Sequence, residues 1–169
     1  MLMDDLRDIY HAELQELRSI EAMLVGMLPK MAAVAKHRPL RELFETHLEE
    51  TRGQLKRLDH LIAVWRLDAT EHVDQTMQAI LREAERAIGL VRDPYLRDAG
   101  LISSARRTEY YELAAYHTCV DFARVLELHD DARLLQELLR QQARSISNLD
   151  LVAEVAVYPE ANALEVITI

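Results

Sequence analysis

Tyr10–Met31, YHAELQELRSIEAMLVGMLPKM, decides the fold. Stepping through it by fours and threes picks out Tyr10, Leu14, Leu17, Glu21, Leu24, Leu28 and Met31. That spacing places seven side chains on one face of an α-helix. Six are large and apolar, and one carboxylate interrupts them. An ionised carboxylate buried alone costs several kcal/mol even after relaxation, so Glu21 needs a proton, an Arg or Lys, or a metal ion.

The same pattern recurs along the chain. A first helix is expected from about Asp4 to Met27, with Pro29 kinking or interrupting it and a short helical stretch continuing to about Ala35. Pro39 suits the first turn of a second helix reaching about Trp65, with Leu40, Phe44, His47, Thr51, Gln54, Leu58, Leu61 and Trp65 on its seam and Glu50 beside them. A shorter amphipathic segment begins near His72 and ends at Asp93-Pro94. The third long helix carries Leu101, Ala105, Thr108, Glu112, Ala115, Cys119, Phe122 and Leu126. Asp130 or Asp131 can cap the fourth, whose seam is Leu135, Leu138, Gln142, Ser145, Leu149 and Val152.

Each long helix is about 37 Å at 1.5 Å per residue, a length suited to side-by-side packing. Short turns join the first pair and the last pair, while the stretch between the pairs is long enough to cross the bundle. The expected fold is therefore all-α: a ferritin-like four-helix bundle, residues 1–153, with a long crossover carrying a short extra helix. Residues 154–169 form a tail in which Val155, Val157, Val166 and Ile167 favour extended structure. It is expected to dock on the bundle or on a partner subunit.

Composition agrees with long helices: half of the 169 residues are hydrophobic, with only 4 Gly and 4 Pro. A net charge of −9 argues against a phosphate-binding surface, so no nucleic-acid partner is expected. The single cysteine, Cys119, falls on a buried face and reads as a core residue in a reducing compartment. Without a basic-then-apolar leader or a membrane-length apolar window, the chain reads as soluble and cytoplasmic.

At one depth of such a bundle lie Glu21, then Glu50 with His47 and Gln54, then Glu109 and Glu112, then Gln142 with Ser145. Carboxylate-bridged metal proteins place acids and histidines from four helices in this way, and hard or borderline cations favour such oxygen donors. Each residue also has a plainer reading. Glu21 can pair with an Arg or a backbone group, and His47 can be a satisfied core histidine. Glu109 and Glu112 can straddle the solvent boundary beside Arg106 and Arg107. Tyr110, Tyr111 and Tyr116 are expected to pack in the core, or to serve a metal as hydrogen-bond donors or redox partners.

Four segments in order carry a family resemblance: Leu28-Pro29-Lys30-Met31; His47-Leu48-Glu49-Glu50-Thr51 with Gln54 and Leu58-Asp59; Asp93-Pro94 to Arg97-Asp98-Ala99; and Glu109-Tyr110-Tyr111-Glu112-Leu113-Ala114-Ala115-Tyr116. Together they resemble the YciF/YciE-like branch of the ferritin-like superfamily over residues 1–153. The resemblance implies a bacterial stress-associated bundle, often dimeric, with an iron or related metal centre and no assigned reaction. By position, Glu21, Glu50, Glu109 and Glu112 look like the family's carboxylate ligands; the ion expected between them is iron, manganese or zinc, and His47, Gln54 and Gln142 on the same seams are weaker candidates. Three departures stand out: Tyr110 replaces the motif histidine, Gln54 stands where many relatives have His, and Gln141, Gln142 and Ile146 replace the acids of the fourth helix. The alternative is a metal-free bundle acting as a structural or partner-binding homodimer.

Overall fold

The computed structural model describes residues 3–68 and 72–163. It contains helices α1 (Leu6–Val34), α2 (Arg38–Val64), α3 (Gln75–Leu90), α4 (Pro94–Val125) and α5 (His129–Val152); a π-helical turn at Ala153–Val157 then leads into a short α6 (Tyr158–Ala163). No strand occurs among the described residues. Short turns make hairpins of α1–α2 and α4–α5, and α1 also packs on α4 while α2 packs on α5. The connection between the hairpins carries α3, which lies against α4 and α1. This is the four-helix bundle with one long crossover that the seams predict.

Side-chain chemistry sets the helix ends. Asp5 accepts from the Asp8 amide at the start of α1, Asp74 from Met77 at α3, and Asp93 from Tyr95 and Leu96 at α4. Each satisfies an amide that the first turn leaves unpaired. Asp130 and Asp131 do not cap α5; Leu128 holds that position and both acids lie in the first turn. At the ends of α2 and α4, Arg66 and Glu127 take left-handed φ values of 55° and 58°. There Leu67 N bonds Ile62 O, and Leu128 N bonds Ala123 O. These closures usually use glycine.

Pro29 does not end α1, which runs on to Val34. Leu28, Met31 and Ala32 are buried on either side of it, and that packing holds the helix together despite the lost hydrogen bond. The tail also departs from the extended reading: Val155 and Val157 are helical, while Val166 and Ile167 lie outside the described residues. Val157 is fully buried and Arg106 donates to the Tyr158 hydroxyl at 2.7 Å, so continued helix gives these residues packing that a lone strand would lack.

The apolar core is in two parts. One holds Ile20, Leu24, Leu28, Leu40, Phe44, Leu101 and Leu149; the other holds Tyr10, Leu14, Leu17, Leu58, Tyr116, Leu135 and Leu138. Between them in the helix sequences come the buried polar residues Glu21, His47, Thr51, Gln54, Glu109, Glu112 and Gln142.

Candidate metal centre

Four helices each contribute to this polar layer. α4 presents Glu109 and Glu112 three residues apart on one face, and Tyr116 one turn further on. α1 brings Glu21, α2 brings His47, Thr51 and Gln54, and α5 brings Gln142. One potential ligand atom each from His47, Glu109 and Glu112 lies within 4.8 Å of the other two, and all three residues are buried. Glu21 adjoins them through a hydrogen bond with Glu112 and accepts a second from the Tyr116 hydroxyl. Gln142 Nε2 donates to Glu109 Oε2 at 2.6 Å and to Glu112 Oε2 at 3.0 Å.

The sequence-expected residues do not all meet. Glu21, Glu109, Glu112, His47, Gln54 and Gln142 are buried in the layer, whereas Glu50 is exposed at its rim, where Ser145 Oγ donates to its Oε2 at 3.1 Å. Neither plainer reading of the α4 pair fits. Glu109 and Glu112 are 6% and 0% exposed, so they do not straddle the boundary. Arg106 is engaged by Asp150, and Arg107 is exposed. Tyr110 is exposed, and Tyr111 donates to Asp74 at 2.8 Å. The Tyr116–Glu21 contact was not singled out in the sequence, although Tyr116 lies four residues from Glu112 and so shares its face.

Burial dominates the electrostatics. Desolvation raises the pKa of Glu21 to about 7 and that of Glu109 to about 8, and pushes Glu112 well above the carboxylate range. Repulsion from Glu21 and Glu109 raises Glu112 further, while donation from Gln142 opposes the shift. Two carboxyl groups can hydrogen-bond only if one carries a proton, and Glu112 is the one that does. Desolvation also lowers His47 to about 4, so its ring is neutral. The layer at neutral pH is therefore mostly uncharged without a metal, as the cost of burying ions requires.

Protons alone leave the layer incompletely satisfied. Buried His47 Nε2, Thr51 Oγ1, Gln54 Oε1 and Gln142 Oε1 have no hydrogen-bond partner, and Glu21 Oε2 and Glu112 Oε1 have none beyond the proton shared between the two carboxyl groups. Orphaned buried polar atoms are uncommon, and four from α2 and α5 beside the carboxyl groups of α1 and α4 fit a bound cation. The donor chemistry agrees, since imidazole with carboxylates suits zinc, iron or manganese. The fit is to one ion: Gln142 brings a neutral amide, and Glu50 lies outside. Turning the Gln142 amide over would aim its oxygen where its nitrogen now points, and the hydrogen-bond network alone sets that orientation.

The helix order, the long crossover and the polar layer between two apolar clusters define a ferritin-like helical bundle. Within that class, the chain belongs to the family described as Domain of unknown function (DUF892), whose model matches residues 5–162. It is 32% identical over 153 residues to Protein YciF of Escherichia coli strain K12, an alignment covering 89% of this chain and 92% of that protein. The crystal structure of the E. coli stress protein YciF superposes with a TM-score of 0.84 at 30% identity, covering 89% of this chain and 96% of that one. The YcfI structure from Rhodopseudomonas palustris gives 0.83 at 26% identity, over 87% and 94% of the two chains. No described helix is long and apolar enough to cross a membrane.

Proposed function

We propose that this chain is a stress-associated, ferritin-like metalloprotein that holds one divalent iron, manganese or zinc ion between α1, α2 and α4. His47, Glu109 and Glu112 would bind the ion, Glu21 would lie beside them, and Gln142 would bridge the two α4 carboxylates. The observation carrying this reading is the buried meeting of His47, Glu109 and Glu112, each with a ligand atom within 4.8 Å of the other two, in a layer where neighbouring buried polar atoms lack partners. A reducible ion there would supply oxygen or peroxide chemistry. The chain itself supplies an enclosing apolar shell and carboxyls that take up and release protons. We further propose a cytoplasmic homodimer.

A second reading is a metal-free bundle serving as a structural or partner-binding dimer. It is favoured by the amide of Gln142, which already donates to both Glu109 and Glu112. The two readings separate on one experiment: elemental analysis of protein purified without chelator, followed by melting with and without chelator. Near-stoichiometric metal, with a melting temperature lowered by chelator, supports the first. No metal after iron-, manganese- and zinc-replete expression, with melting indifferent to chelator, supports the second.

A further inference from the structure

Away from the acid layer, one oxygen atom receives two oxidisable side chains. Asp131 Oδ2, in the first turn of α5, accepts from the Tyr10 hydroxyl at 2.8 Å and from Trp65 Nε1 at 2.7 Å. The two rings meet edge to face, with centroids 6.5 Å apart and planes at 88°. Tyr10 is fully buried, while Trp65 is half-buried at the end of the bundle. The Arg7 guanidinium stands 5.3 Å from the centre of the indole ring.

We propose that Tyr10, Asp131 and Trp65 form a one-electron relay in which Asp131 Oδ2 is the common proton acceptor, linking the surface indole to the buried phenol. A one-electron oxidant in solvent takes an electron from Trp65, and the Nε1 proton passes to Asp131. An electron then moves from Tyr10 to the indolyl radical. The phenolic proton goes onto the Asp131 carboxyl, and the proton already held there returns to Nε1. The sum transfers one electron and one proton from Tyr10 to Trp65 and leaves a Tyr10 phenoxyl radical.

The geometry answers the two difficulties of such a step. Electron transfer falls steeply with distance, and these rings are almost in contact. A buried phenol cannot lose an electron cheaply while keeping its proton, because the resulting cation would be desolvated. Arg7 above the indole disfavours the indole cation, so electron loss is tied to proton transfer onto Asp131. Tyr10 in turn shares its apolar cluster with Cys119 and Tyr116, whose hydroxyl donates to Glu21.

The relay needs no metal, so its test is separate from the metal reading. The chain has a single tryptophan, so an indolyl signal reports Trp65 alone. Chelator-stripped protein is pulsed with azide radical, and the indolyl and phenoxyl absorption bands are followed in time. The expected result is first-order, concentration-independent decay of the indolyl band with a matching phenoxyl rise. Tyr10→Phe should slow that transfer by about tenfold or more, equivalent to about 1.4 kcal/mol of barrier. Asp131→Asn keeps an acceptor oxygen but cannot take the proton, and it should slow transfer and change its solvent deuterium isotope effect even if Tyr10→Phe does not fold. No first-order phenoxyl rise in the unaltered chain, or rates unchanged by the substitutions, would overturn the relay.

Discussion

His47 Nδ1 lies 3.4 Å from Glu109 Oε1, yet the two do not form an ion pair. Burial lowers the imidazole to about 4 and raises the carboxyl to about 8, so at neutral pH the ring is uncharged and the acid is largely protonated. Two groups that would attract each other on a surface are both neutral here because both are buried. A divalent ion changes that balance, since it favours the ionised acid and the neutral imidazole together.

Metal-free protein should therefore gain stability on acidification from pH 8 to about 5.5. Glu21, Glu109 and Glu112 have folded pKa values above the unfolded 4.5, so their contribution is fully present below 4.5; that of Glu21 and Glu109 is lost as pH rises through about 7 and about 8, and Glu112 is shifted in the same direction. His47 acts in the opposite sense, present above 6.5 and lost as pH falls through about 4. Three acids outweigh one histidine over this range. Denaturant midpoints measured at several pH values in chelator check the sign; a midpoint that falls from pH 8 to 5.5 would count against protonated acids in the layer.

Glu112→Gln should fold and should stabilise the metal-free chain at pH 8. The amide can still donate to Glu21, and it removes a group whose ionisation favours the unfolded chain. A gain of about 0.5–2 kcal/mol is the usual size for a stabilising substitution at a site under functional constraint. Urea unfolding with an unchanged slope and a raised midpoint is the expected readout.

Gln142→Glu should have the reverse character. It places an acid against Glu109 and Glu112, so the metal-free chain should lose stability through repulsion. Metal affinity should rise, because a carboxylate replaces a neutral amide on the fourth side. Comparing melting shifts on zinc or manganese addition with those of the unaltered chain checks both halves.

Asp98→Ala tests a purely structural acid. Asp98 is fully buried at the start of α4 and accepts from Lys36 N at 2.9 Å, His37 N at 2.7 Å and His37 Nδ1 at 2.6 Å. It thereby fastens the α1–α2 turn to the second hairpin. Its removal should cost about 3–5 kcal/mol, as for breaking a buried charged network. That loss should be the same with and without metal in equilibrium denaturation.

The bundle was legible because its signals are long and repeated: four seams at helical spacing, short turns within pairs and one long connection. The acids were legible for a related reason, since Glu21 and Glu112 break apolar seams. Rotation about the helix axis was less so. Glu50 and His47 are three residues apart on α2, yet burial of Thr51 and Gln54 turns His47 inward and leaves Glu50 at the rim. Pro29 does not interrupt α1, because the packing of Leu28 and Met31, which local propensity cannot register, carries the helix past it. The turns at Arg66 and Glu127 carry no glycine to announce them. Asp131 looks like a helix cap in sequence, and only the meeting of α1, α2 and α5 shows that it serves Tyr10 and Trp65 instead.

Calorimetric titration of chelator-stripped protein with zinc and with manganese, in buffers of different ionisation enthalpy, bears most directly on the layer. One ion per chain should bind with release of protons and with affinity rising with pH. His47→Ala and Glu112→Gln should each weaken binding at least as much as the roughly 10–100-fold cost of losing an outer hydrogen-bond partner. The absence of saturable binding by either ion, or binding that both substitutions leave unchanged, would contradict a metal site formed by His47, Glu109 and Glu112.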